Sequence, residues 1–267
     1  MSFWKHTLLS TRNRICLIMN KESLKEEYKG ETASEYEDRR VGTEKWEAEQ
    51  KAVDGFLTKI TAEDGVSSVL DVPVGTGRFF DIYGNLNLEV LGLDISEDML
   101  EQANSRIDDA NITTEQGDIF QLAEEDLDAD VIVCMRLTNW LEMEEFSEAL
   151  RNISSVEPRY VIIGVRTENP PSQTEVNTTG SDDTDDSGVL YLAKRSLQVI
   201  REDGPVGFAT AVRDYLDWRL NGRSIIVHER SAVLDEFDEH GYDIAEKELV
   251  DEGKGNRYYI YLLEPKD

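Results

Sequence analysis

Basic residues are few in this sequence relative to acidic ones. Its 28 lysines and arginines stand against 56 aspartates and glutamates, a net charge of −28 over 267 residues. No lysine occurs between Lys59 and Lys194. Binding to a nucleic-acid duplex needs clustered Lys and Arg, so the composition argues against a nucleic-acid partner. Acidic residues are spread over every expected helix rather than gathered in one tail. That is the surface of a protein kept soluble in concentrated salt; an ordinary acidic protein is the alternative reading. In molar salt the Debye length falls to about 3 Å, which weakens arguments from net charge in either direction.

Cysteine is far scarcer, with two, Cys16 and Cys134. They form no disulfide framework and no CxxC pattern, which fits a reducing cytoplasm. With three histidines besides, widely separated, no metal site is expected. No apolar run approaches the roughly 18 residues that span a bilayer, so the chain is read as soluble and cytoplasmic. Hydrophobic content of 39% with four tryptophans argues for a folded protein, and the length suits one α/β domain with a lid or insertion. The first twenty residues hold Lys5, Arg12 and Arg14 and no acid. They make a poor signal peptide, and translation from Met19 is the preferred explanation of this prefix.

Residues 21–60 are read as a charged helical cap. Within it Trp46, Val53, Phe56, Leu57 and Ile60 recur at helical spacing, with Thr43 as the cap and Glu44 and Glu47 near the positive end. Residues 61–267 then follow a strand–helix rhythm. "SSVLDV" (67–72), "LEVLGLDI" (88–95), "DVIVCM" (130–135) and "YVIIGV" (160–165) read as buried parallel strands. Between them, Ser96–Ile107 is a helix capped by Ser96, and Phe146, Ala149, Leu150 and Ile153 mark another. Alternating units of this kind predict a doubly wound, mostly parallel sheet with helices on both faces. "RSIIVHE" (223–229) reads as a strand passing into a helix at 231–240, and "YDIAEKELVDEG" with "RYYIYLLE" as an antiparallel C-terminal edge. One stretch breaks the rhythm: 168–188, "ENPPSQTEVNTTGSDDTDDSG", has one aliphatic side chain, Val176, and no base. It is read as a flexible loop leading into a lid insertion at about 167–222, with two helices near 189–202 and 208–219.

The chemistry points to "LDVPVGTGRFF" (70–80), a strand running into a loop with Gly75 and Gly77. A P-loop would need GxxxxGK[ST], and no such lysine exists. A dinucleotide fingerprint needs a third glycine where Phe80 stands, and Asp71 would oppose a pyrophosphate. S-Adenosylmethionine has no phosphate and is cationic at its sulfonium and ammonium, so an acid at the loop suits it. "LDVPVGTGRFF" resembles the D-x-x-x-G-x-G motif of class I S-adenosylmethionine-dependent methyltransferases. "LGLDIS", "EDMLEQA", "EQGDIF" and "DVIVCMRLTNWLE" continue the resemblance in order, with 17 residues from Gly77 to Asp94 and 24 from Asp94 to Asp118.

That resemblance implies a seven-stranded, Rossmann-like sheet with an antiparallel C-terminal edge strand. It implies a cofactor site of Asp71, Pro73, Gly75, Thr76 and Gly77 in the loop. Asp94 and Ile95 would hold the ribose, Met99, Asp118 and Ile119 would lie around the adenine, and Met135 would face the methyl donor. "Y…R…W", here Tyr36, Arg40 and Trp46, is similar to the start of many small-molecule methyltransferases, which places Tyr36 or Arg40 near the cofactor carboxylate; an ion pair of Arg40 with Glu37 or Glu44 is the alternative. After the fourth strand the [DNS]-P-P-[YF] motif of adenine and glutamine amino-group methyltransferases is absent. Arg136, Asn139 and Trp140 stand there instead: Arg136 suits a substrate carboxylate, and Trp140 either lines a pocket or belongs to the core. His228 is read as a general base or as a solvated cap residue. A small-molecule acceptor is expected. The alternatives are an RNA or protein methyltransferase, a non-catalytic S-adenosylmethionine-binding partner protein, and an NAD-linked dehydrogenase; the oligomeric state stays open.

Overall fold

The computed structural model describes residues 42–168, 225–253 and 255–266. Tyr36 and Arg40, the prefix, most of the cap before Gly42, and nearly all of the expected loop and lid at 167–222 lie outside the described residues. In chain order the described elements are α1 (Glu44–Asp64), β1 (Ser68–Asp71), α2 (Phe80–Asn85), β2 (Glu89–Asp94), α3 (Glu97–Asn104), β3 (Ile112–Gln116), a 3₁₀ turn (Ile119–Glu124) and β4 (Val131–Cys134). A second 3₁₀ turn (Thr138–Trp140), α4 (Met143–Ser155), β5 (Tyr160–Glu168), α5 (Arg230–Glu239), β6 (Tyr242–Gly253) and β7 (Asn256–Pro265) complete them.

The seven strands form one sheet in the order β3-β2-β1-β4-β5-β7-β6. β1 to β5 pair in parallel, while β7 runs antiparallel to both β5 and β6. Period-two alternation divides the core into two layers. Val69, Val133, Ile162, Ile260 and Leu262 face α1, α2 and α3, and Leu70, Ile132, Ile163, Tyr261 and Leu263 face α4 and α5. Both faces are therefore covered, as parallel strands require.

Local signals account for the helix starts. The Thr43 hydroxyl accepts from the Trp46 amide at 3.2 Å, and the Ser96 hydroxyl from the Met99 amide at 3.4 Å. α1 ends at Gly65, whose φ of 66° is the left-handed cap that glycine adopts readily. β3 is the strand that apolar runs did not reveal: in "ITTEQ" Ile112 alone is buried, because this strand forms the sheet edge. The expected strand at 223–229 reduces, in its described part, to one parallel bridge between His228 and Thr167.

β1 has β2 on one side and β4 on the other, so the winding reverses direction between them. In open α/β sheets ligands bind in the crevice outside the carboxyl ends of the strands at such a reversal. The segments leaving β1, β2 and β4 there are 72–79, 95–96 and 135–142.

Candidate cofactor and acceptor site

Two cavities open at this reversal. One is lined by Trp46, Pro73 to Thr76, Arg78, Phe79, Asp94 to Ser96, Met99, Met135 to Leu137 and Trp140. The other is lined by Val72, Pro73, Leu93 to Ile95, Gly117 to Phe120 and Leu137. They share Pro73, Asp94, Ile95 and Leu137, so Asp94 stands where they meet.

The loop after β1 takes its form from backbone bonds. Val74 N–H donates to the Leu93 carbonyl at 2.8 Å and Gly77 N–H to the Val74 carbonyl at 3.1 Å. Gly77 has φ 74°, and a Cβ there would lie 2.3 Å from the Phe80 ring. The glycine thus lets the chain pass the ring of Phe80, the residue that stands where the dinucleotide fingerprint has its helix-packing third glycine. Gly77 lines neither cavity.

Asp94 ends β2 and is 6% exposed. One of its oxygens, Oδ2, accepts from Gly75 N–H at 2.9 Å, and Oδ1 accepts from Ser96 N–H at 2.8 Å. Burial pushes its carboxyl up to about 6, against the pull of backbone N–H groups of Ser96, Gly75 and Ile95. At neutral pH it is mostly an ionised acceptor facing both cavities, with acceptor capacity left beyond its backbone bonds. Such a group suits the paired hydroxyls of a ribose. Beside it Ile95, Met99, Ile119, Phe120 and Leu137 supply apolar wall for a planar base. Asp118 caps the 3₁₀ turn by accepting from Phe120 N–H at 3.0 Å, and it lines the second cavity. The donor set therefore fits an adenosyl group: an acid for the sugar, an apolar slot for the base, and a glycine loop for close approach.

Three expectations need relocation. Asp71 lies beneath the loop rather than at its mouth: it is 1% exposed, and its Oδ2 accepts from the Tyr83 hydroxyl at 2.9 Å. Burial pushes its carboxyl up to about 8, eased by that hydroxyl, so at neutral pH it is uncharged and offers no charge to a cationic ligand. His228 lines neither cavity. It is 4% exposed, donates from Nε2 to the Thr138 carbonyl at 3.0 Å and stacks on Phe146 with ring centres 5.5 Å apart. Its backbone bonds Arg166 and Glu168 of β5, so it is a clasp between 225–229 and the sheet. Asn139 is buried outside the lining, its carbonyl accepting from Ile226 N–H at 2.8 Å. Trp140 does line the first cavity.

The wall formed by Trp46, Arg78, Arg136 and Trp140 was read from the sequence only at Trp46, Arg136 and Trp140. Glu49 of α1 is completely buried, and its Oε2 accepts from Arg136 Nε at 2.9 Å and Nη2 at 2.7 Å, and from Arg78 Nη1. Arg78 also donates to the Trp46 carbonyl at 2.7 Å and to Gln50 Oε1 at 3.2 Å. Its guanidinium lies 3.6 Å from the Trp46 ring centre, a cation–π contact. Lys45 approaches Glu49 at 4.0 Å and Asp251 at 3.4 Å. A charged residue at position 49, in register with the apolar stripe of Trp46, Val53 and Phe56, was the available signal. Among the described residues no cluster of His, Cys, Asp or Glu could hold a metal ion.

Comparisons with known proteins agree with this geometry. Residues 69–157 match the family model described as "Methyltransferase domain". Magnesium protoporphyrin IX methyltransferase from Synechocystis PCC 6803, solved with bound SAH, superposes with TM-score 0.60 at 16% identity, covering 92% of this chain and all of that one. An S-adenosylmethionine-dependent methyltransferase from Clostridium acetobutylicum ATCC 824 superposes with TM-score 0.53 at 13% identity, over 87% of this chain and 96% of that one. At such identities the likeness is one of fold. Comparison of the sequence with curated proteins gives no match.

Proposed function

Taking this chain as a class I S-adenosylmethionine-dependent methyltransferase, we propose that its acceptor is a small molecule, received in the cavity walled by Trp46, Arg136 and Trp140. The observation that carries this reading is the placement of Asp94 where the two cavities meet, with the glycine loop on one side and the apolar slot on the other. We assign the second cavity to the adenine and the first to the amino-acid arm of the cofactor and the acceptor. When bound, S-adenosylmethionine supplies an already activated methyl group. The chain's own task is then mostly to fix distance and angle and to exclude water.

The backbone of 72–78 and Asp94 hold one partner, while Arg136, Trp140 and Met135 face the other. Among the described residues lining the first cavity there is no histidine, and its one aspartate is Asp94, which this reading assigns to the ribose. A general base is therefore not a required part of this reading. An RNA acceptor would call for a basic stripe, which a chain of net charge −28 does not favour. No described helix is long and apolar enough to cross a membrane, and we propose a cytoplasmic enzyme.

Calorimetric titration with S-adenosylmethionine and S-adenosylhomocysteine in molar KCl tests the cofactor assignment. Micromolar binding that Asp94→Ala abolishes is the expected result. Absence of binding by folded wild-type protein would overturn it. A screen of metabolites for methylation then tests the acceptor class.

A further inference from the structure

We propose that the acceptor is a carboxylic acid with a flat apolar body, and that Arg136 is the residue that reads its carboxylate. The inference rests on the methyltransferase reading and narrows it to a substrate class.

Its first support is position. Along the sheet, Asp118 follows β3, Asp94 follows β2, and Arg136 follows β4 on the far side of β1. The adenosyl groups are thereby assigned to the β2–β3 side, and Arg136 faces the opposite end of the first cavity. Its second support is backbone strain. Arg136 has φ 63°, a left-handed conformation that is costly for a non-glycine residue. The position holds an arginine where glycine would be easier, and Arg136 lines the first cavity.

The third support is rigidity. Two N–H groups of Arg136 hold one buried carboxylate oxygen, Glu49 Oε2, which Arg78 also holds. Arg78 is bound on three sides and covers one Trp46 face, so Glu49 and Arg78 are positioning residues. A guanidinium whose plane is already fixed loses little freedom on binding, and it matches a carboxylate better than a point charge does. The neighbouring wall of Met135, Leu137 and Trp140 is apolar enough for a ring or conjugated chain. The sign is also telling: a chain of net charge −28 gathers Arg78 and Arg136 at one end of its cavity.

The cofactor's own methionine carboxylate is the competing source of the same chemistry, and the test separates the two. Wild-type protein and Arg136→Gln are titrated with S-adenosylhomocysteine and with 5′-methylthioadenosine, which lacks the amino-acid arm. Each S-adenosylhomocysteine complex is then titrated with benzoate, phenylacetate and cinnamate and with their primary amides. The expected result is equal affinity of both proteins for S-adenosylhomocysteine, preference of the wild type for at least one acid over its amide, and loss of that preference by roughly tenfold or more in Arg136→Gln. Arg136→Lys should keep part of it, since charge remains and the fork does not.

A drop in S-adenosylhomocysteine affinity without one for 5′-methylthioadenosine would assign the arginine to the cofactor and overturn the proposal. So would the absence of any acid-over-amide preference in the wild-type complex. Failure of wild-type protein to bind S-adenosylhomocysteine at all would instead remove the methyltransferase reading beneath it. Equal affinity of the variant for S-adenosylhomocysteine also shows that it is folded.

Discussion

Acidification below pH 6 should weaken cofactor binding through Asp94. Burial raises its carboxyl to about 6, and the bonds from Gly75 at 2.9 Å and Ser96 at 2.8 Å are bonds to its ionised form. If the ribose hydroxyls donate to this carboxylate, the protonated enzyme is not competent to hold them. The apparent Kd then grows by the factor 1 + 10^(pKa − pH). That is about twofold at pH 6 and about tenfold at pH 5, the latter equivalent to about 1.4 kcal/mol. The other buried acid nearby, Asp71, is raised to about 8 and is protonated at pH 6 and below, so it adds no slope there.

The assay is calorimetric titration with S-adenosylhomocysteine from pH 8 to pH 5, with circular dichroism at each pH to confirm folding. Repetition in buffers of different ionisation enthalpy should detect release of about half a proton on binding near pH 6. Asp94→Asn is the control: it binds weakly and shows no slope, because an amide has no proton to lose. A wild-type profile flat down to pH 5, or the same slope in Asp94→Asn, would refute the reasoning.

Asp71 makes a prediction of its own for the protein without ligand. Its folded value lies above its unfolded one, so the stability it contributes is fully present below about pH 4 and is lost as pH rises to about 8. Asp71→Asn keeps an acceptor for the Tyr83 hydroxyl and should gain on the wild type by up to about 1.4 kcal/mol per unit between pH 5 and pH 8, read from urea midpoints; parallel midpoints would sink this. Glu49→Ala strands two guanidinium groups beside Trp46 and should cost about 3–5 kcal/mol, the usual loss on breaking a buried ion pair from one side. A change in melting temperature within error would show that Glu49 merely fills space. His228→Ala should lower stability by about 1–3 kcal/mol through the Thr138 carbonyl left without its donor. It should leave affinity for S-adenosylhomocysteine unchanged; the reverse pattern would place His228 in the site after all.

What the sequence disclosed was what local pattern determines. β1, β2, β4 and β5 stood out because strands buried on both faces are continuous apolar runs, and Thr43 and Ser96 because a cap acts within three residues. β3 did not, because an edge strand with one buried residue carries no such run. The cofactor loop and Asp94 lie within 24 residues of β1 and were legible with it. The acceptor wall joins Glu49 to Arg78 across 29 residues and to Arg136 across 87. No spacing rule links those positions; packing of α1 against the sheet creates the contact. A helix stripe interrupted by one acid marks the buried charge, yet it does not say which cation will meet it.

Two features spoke against a dinucleotide, Phe80 in place of a third glycine and the acid at the loop, and the structure withdraws the second. Asp71 is neutral and turned inward, so it repels nothing at neutral pH. Asp94 cannot take its place by charge alone, because a dinucleotide site also carries an acid about 20 residues past its loop to hold a ribose; what differs here is the use of a loop N–H. In a phosphate-binding glycine loop, the backbone N–H groups are the anion site. Here Gly75 N–H is already given to Asp94 Oδ2, so the loop presents a carboxylate at the point where a dinucleotide site presents a donor. A pyrophosphate would have to displace that bond and face the acid as well. A ribose meets the opposite situation: its hydroxyls need acceptors, and the N–H bond orients the carboxylate that provides them. On the proposed reading, Gly75 N–H orients the acceptor of the sugar hydroxyls rather than binding an anion itself.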